Sequence, residues 1–208
     1  MASQITHVPY GKKVLDLYLR DQIKDERKYF IGTLFPDIRY LGVIDRASTH
    51  VNAPSNDELK NIEGDFQLGM YAHSLVDYER ERVLEKMGIY SLVDKTKPLI
   101  YAMKFIEDEI TFDLISDWDK YIVYLDEVLE EEIELVPADS ARQWHGLLRS
   151  FFQRPNWETV TNFALGLKGF TREVLEAVKV EEGKIRDDIK AMELIRGTYE
   201  AMFENNSS

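Results

Sequence analysis

Cysteine is absent from this chain, and four histidines, six prolines and eleven glycines are thinly spread through its 208 residues. Without cysteine there is no disulfide framework and no thiolate metal site. Any metal must then be held by imidazole and carboxylate, which suits zinc, iron, manganese or magnesium rather than copper(I) or iron–sulfur clusters. No apolar run reaches the roughly 18 residues of a membrane span, so no integral membrane segment is expected. Met1 to His7 lacks the basic region and apolar run of a secretory signal, and a cytoplasmic location is the corresponding expectation. Basic residues are also in deficit, 26 against 38 acidic, giving a net charge of −12. That balance opposes nucleic acid as a partner and repels an anionic membrane surface.

Strand-like alternation is scarce, whereas apolar residues recur at three- and four-residue spacing along most of the chain. The pattern predicts an all-α fold, a single-domain multi-helix bundle over residues 1–208. Helices are expected from Tyr10 to Asp21, from Lys28 to Leu34, from Asp57, and from Asp65 to Met87 with Gly88 as the stop. Pro98 suits the start of a helix reaching Ile115. Further helices are expected near 117–135, 139–152, 156–168, 171–182 and 184–204, jointed at Pro137, Pro155, Gly169 and Gly183, with a frayed tail at Asn205 to Ser208. Residues 36–56 read as irregular. The acidic run from Asp126 to Glu134 reads as a solvated helix face, and on the Asp65–Met87 helix Glu79, Arg80, Glu81 and Arg82 are expected to turn outward. Trp118, Trp144 and Trp157 are available to a core or an interface.

Three of the four histidines fall in the first 75 residues, interleaved with two carboxylates. His73 and Asp77 stand four apart on an expected helix, so an imidazole and a carboxylate share one face. Gly69, a poor residue for a helix interior, suggests close approach of another segment there. Asp37 follows Pro36 among Phe35, Ile38 and Leu41, where a buried carboxylate needs a partner or a cation. His50 closes the loop Arg46-Ala47-Ser48-Thr49-His50, and His7 opens an apolar segment. Singly, each fits a structural hydrogen bond as well as a ligand. Jointly, His7, Asp37, His50, His73 and Asp77 form a mixed His/carboxylate set of the kind that holds one or two divalent ions. Glu107 and Asp108 are additional candidate ligands, with a solvated acidic patch as the alternative. His145 has no carboxylate pair beside it and reads as a packing or surface residue.

The order Ile5-Thr6-His7, Gly32-Thr33-Leu34-Phe35-Pro36-Asp37, Thr49-His50 and Gly69-Met70-Tyr71-Ala72-His73-Ser74-Leu75-Val76-Asp77 resembles the zinc-dependent phospholipase C family over roughly the first 110 residues. The resemblance implies an all-helical hydrolase with zinc first among its metals. A principal ion would be held by Asp37, His50, His73 and Asp77. His7 would hold a second ion, bridged by Asp77. The later His-x-x-x-Glu of that family has no counterpart here, so a third ion is expected to be absent or held by Glu107 or Asp108. The expected activity is metal-dependent phosphoester, specifically phosphodiester, hydrolysis, in which metal-activated water attacks phosphorus and Asp37 can double as general base. The substrate is a small phosphoester or phospholipid headgroup; residues 111–208 are a helical extension. The alternative is a non-catalytic helical protein, metal-binding or partner-binding, that keeps a remnant site. An HD-type phosphohydrolase ranks last, since the sequence holds no His-Asp dipeptide.

Overall fold

The computed structural model describes residues 3–93 and 96–203, and these contain helices and loops but no strand. Ten α-helices follow in order: α1 Gln4–Val14, α2 Glu26–Leu34, α3 Asp65–Met87, α4 Lys97–Phe112, α5 Trp118–Tyr124, α6 Glu130–Ile133, α7 Ala138–Phe151, α8 Trp157–Leu165, α9 Arg172–Asp187 and α10 Ile189–Ala201. None of the described helices is long and apolar enough to cross a membrane. One buried apolar cluster runs from Ile5 to Phe203, including Trp118 and Trp144. The second half of the chain is tied into it: Trp144 Nε1 on α7 donates to the Leu34 carbonyl at 3.1 Å, and α9 and α10 pack on α4.

The longest helix has the bounds its sequence announces. α3 stops at Gly88, whose φ of 78° is the left-handed conformation that glycine adopts without penalty. Its N–H closes on the Leu84 and Glu85 carbonyls. α4 carries Pro98 in its first turn, where a missing N–H costs nothing, and Thr96 caps it by accepting from the Leu99 N–H.

Elsewhere the boundaries differ from expectation. α1 begins at Gln4, not Tyr10, and contains Pro9 in its interior; it continues into a π-helical turn, Leu15–Leu19. Burial outweighs the lost hydrogen bond here, because every residue from Gln4 to Gly11 is buried. Phe35–Leu41, expected to be irregular, is a 3-10 helix, and Asn56–Asn61 is another, with no side-chain cap from Ser55. The expected helix over 117–135 is split into α5 and α6, since Leu125 and Leu129 turn inward to the core between them. The joint placed at Gly183 lies instead at Asp188, whose carboxylate caps α10 through the Ala191 N–H at 3.0 Å; Gly183 is inside α9. The tail from Asn205 to Ser208 lies outside the described residues.

Two expected solvated faces are partly buried. Glu132 in the acidic run is 0% exposed, accepting from the Leu129 N–H and facing His145 Nε2 at 2.9 Å. Arg80, expected to turn outward on α3, is also buried and donates to Glu107 at 2.6 Å. Both cases follow one rule: charges enter a core when partner and hydrogen bonds come with them.

α2 and α3 cross at glycines. A Cβ on Gly32 would stand 2.1 Å from the Phe66 carbonyl oxygen, and one on Gly69 would stand 2.0 Å from that of Tyr29. No side chain fits at either position, so the two backbones touch. That contact brings the end of α2 beside the middle of α3.

Candidate metal centre

Four segments converge on this crossing. α1 supplies His7, the 3-10 turn after α2 supplies Asp37, the following loop supplies His50, and α3 supplies His73 and Asp77. All five are buried, His50 the most exposed at 8%. Ligand atoms of His7, Asp37 and His73 lie within 4.8 Å of one another, and so do those of His50, His73 and Asp77.

Hydrogen bonds fix which ring nitrogens face inward. His73 Nδ1 lies 2.9 Å from the Thr33 carbonyl oxygen, which can only accept, so Nδ1 carries the proton. His50 Nδ1 lies 2.8 Å from Thr49 Oγ1. The Thr49 hydroxyl is itself placed to donate to the Pro36 carbonyl at 3.3 Å, so it accepts from His50. Burial pushes His50 down to about 4, and burial together with His7 pushes His73 down to about 3. Both rings are therefore neutral at pH 7, and both Nε2 atoms present lone pairs. Those two atoms stand 3.2 Å apart. Facing lone pairs repel unless a cation lies between them, and metal–nitrogen bonds of about 2.1 Å at tetrahedral angles set such pairs ~3.4 Å apart.

Asp77 completes the arrangement. Its Oδ2 is 3.8 Å from both His50 Nε2 and His73 Nε2, while Oδ1 is 3.5 Å from His7 Nε2. One carboxylate thus faces His7 with one oxygen and both His50 and His73 with the other. Desolvation is the largest effect on Asp77 and opposes ionisation, yet its carboxyl lies well below the usual range, with His7 and His73 among the groups that lower it. The His7 ring stacks on His73 at 3.8 Å, and neither of its nitrogens has a hydrogen-bond partner. A buried imidazole left so costs ~1–3 kcal/mol unless something else engages it. The donor set, the neutral rings and the orphaned His7 nitrogens all fit a divalent ion.

Asp37 is differently held. Gln4 Nε2 donates to its Oδ2 at 2.8 Å, and Arg39 stands 3.3 Å from Oδ1. Desolvation is outweighed by His73, Lys104 and Arg39, so the carboxyl stays ionised below its ordinary range.

Glu107 and Asp108 are buried rather than solvated. Glu107 is engaged by Arg80 and by the Tyr10 hydroxyl at 2.8 Å. Asp108 accepts from the Thr6 N–H at 2.9 Å and the Thr6 hydroxyl at 2.8 Å, and burial lifts its carboxyl to about 7. Neither falls within the two ligand groups around His73. His145 is engaged by Glu132 and the Leu125 carbonyl, away from the centre.

Sequence reading assigned no role to the supports Gln4, Thr33 and Thr49, and it passed over a buried cation, Lys104. Lys104, on α4, is 5% exposed and makes no hydrogen bond or ion pair with any described residue. Its sequence signal was a lone cation on the apolar face marked by Ile100, Met103 and Ile106. A cavity of about 380 Å³ opens onto Asp77, with Arg46, Asn52, Ser74, Tyr78 and Glu81 in its walls. Comparison of the chain with family models, curated proteins and solved structures returns no match.

Proposed function

We propose that the protein is a metal-dependent phosphoester hydrolase, and that the resemblance to zinc-dependent phospholipase C reflects this shared chemistry. The observation that carries the reading is the pair of neutral imidazoles whose Nε2 atoms converge at 3.2 Å beside Asp77. His50, His73 and Asp77 would hold a principal ion with Asp37, and His7 would hold a second, bridged by Asp77. A divalent ion supplies Lewis acidity there, acidifying water and offsetting charge on a phosphoryl group under attack. Zinc suits the donor set first; iron and manganese also accept it.

The chain's own groups do the positioning. Thr33 and Thr49 fix the ring orientations of His73 and His50, a role that commonly sharpens metal affinity. His73, Lys104 and Arg39 keep Asp37 ionised, which favours ligation over proton abstraction, since a carboxylate stabilised in its charged form is a weak base. Asp77 is the ligand that reaches the cavity. The cavity volume of about 380 Å³ matches a small ligand, and a soluble phosphoester fits it better than a lipid.

Metal analysis of protein purified without chelator, followed by assays on phosphate monoesters and diesters, tests this reading. Stoichiometric zinc with turnover supports it. Failure to bind metal after reconstitution ends it, and bound metal without turnover leaves the structural, non-catalytic alternative standing.

A further inference from the structure

One buried charge lacks a counter-ion. Lys104 is 5% exposed and makes no hydrogen bond or ion pair with any described residue. Its Nζ stands 5.9 Å from the centroid of the Tyr101 ring, at the outer limit of cation–π attraction. Asp37 and Asp77 attract it only from beyond ion-pair distance, and Asp37 is already engaged by Gln4 and Arg39. Burial pushes the Lys104 pKa down from the ordinary 10.5, as expected of an ammonium with no carboxylate beside it.

Lys104 lines a cavity separate from the one that opens onto Asp77. α4 supplies Tyr101, Lys104 and Phe105, α8 supplies Phe163, and Tyr40 and Phe170 add two further rings. Among the described residues of its wall Lys104 alone is charged, in a chain where acidic residues outnumber basic ones by 38 to 26. The other polar wall groups are hydroxyls and an amide, all able to donate, and aromatic edges carry partial positive charge. Lys104 Nζ is not among the sealed, unbonded atoms of the interior, so it reaches open space. The cavity volume of about 20 Å³ exceeds the ~10–15 Å³ that one water requires, which limits the occupant to a single small species. Water would fill that space without cancelling the charge, and a buried charge is costly until it is paired. We propose that this cavity binds one small monovalent anion, of the size of a halide or formate, and that Lys104 holds it. Seated there, the anion links α4 to α8 and stabilises the folded chain. No metal is involved, so the proposal stands or falls independently of the hydrolase reading.

The test is thermal unfolding of the full chain as purified, at pH 7 and constant ionic strength, with chloride, bromide or formate exchanged for gluconate, which is too large for the cavity. The melting temperature should rise along a saturation curve, because a ligand of the folded state alone stabilises it by mass action. Whether the halides or formate act tells a halide site from a carboxylate site. Lys104→Met keeps the aliphatic stem and should raise the half-saturating concentration at least roughly tenfold, through loss of the one charge partner. Bromide soaked into wild-type crystals should give an anomalous peak within hydrogen-bond reach of Lys104 Nζ. A melting temperature that never saturates with any of the three anions, with no bromide peak in the cavity, overturns the proposal without any variant having to fold. An unchanged half-saturating concentration in a folded Lys104→Met protein overturns the assignment to Lys104.

Discussion

Gly32 and Gly69 lie against each other where α2 crosses α3, so closely that a Cβ on Gly69 would come 2.9 Å from the Gly32 carbonyl carbon. One helical turn beyond Gly69 stands His73, bonded to the carbonyl of Thr33, the residue after Gly32. Helix contact and ligand orientation are therefore one feature. Gly69→Ala should force the backbones apart, costing ~1–3 kcal/mol or more by overpacking, and should lower zinc content as well. Denaturant melts and metal analysis on the same sample check this; an unchanged midpoint would show that the helices separate freely.

Thr49 offers a gentler perturbation. Thr49→Val keeps the shape while removing the hydroxyl that accepts from His50 Nδ1. Loss of such a support typically costs 10–100-fold in metal affinity, so zinc should bind roughly tenfold more weakly with little change in melting temperature. A competition titration with a chromogenic chelator reads it. Wild-type affinity in this variant would mean that His50 is oriented by other means.

Acid sensitivity of the metal-free protein follows from the buried groups. His50 and His73 have folded pKa values near 4 and 3, below the ordinary 6.5. As pH falls below about 6.5, the unfolded chain takes up these two protons and the folded one does not, so stability drops. Asp108 opposes them: its carboxyl is raised from 3.8 to about 7, so the folded state is the proton binder between those values, and stability gains as pH falls. Two protons against one leave a net loss of about 1 kcal/mol per pH unit between roughly pH 6 and 4. Asp108→Asn removes the opposing group and should make that slope steeper. Urea titrations across this range decide it; a slope that flattens in Asp108→Asn contradicts the assignment.

The Glu132–His145 pair serves as a control. Both are buried and 2.9 Å apart, and removing one partner of such a pair typically costs ~3–5 kcal/mol. Glu132→Ala should therefore destabilise the protein while its zinc stoichiometry stays that of the wild type. Parallel melting and metal analysis would expose any link between the two sites as a fall in zinc content.

The buried His/Asp cluster was more legible than its surroundings, for a local reason. His73 and Asp77 share a helix whose glycine stop and four-residue spacing are both written nearby in the sequence. Gly69 likewise announced a close approach, although not its partner Gly32. Arg80, Glu132 and Lys104 were misread or passed over because their environments come from elsewhere in the chain: Glu107 meets Arg80 from 27 residues away, and His145 meets Glu132 from α7. The start of α1 was missed because Pro9 suggests a break that complete burial overrides. Hydrophobic spacing reports a helix with one wet face, and α1 has none near its beginning.

That enclosure sets the order in which the protein can become functional. α1 is walled in by α2, α3 and α4, and its Thr6 is bonded to Asp108, 102 residues further along the chain. A short helix interrupted by proline has little stability of its own, so His7 takes its place only after α4 has been synthesised and docked. During translation His50, His73 and Asp77 emerge well before the last wall of their site exists. On the metal-dependent reading proposed above, capture of the ion at the complete cluster is a late step of maturation, and a nascent chain stalled before α4 should hold zinc only loosely.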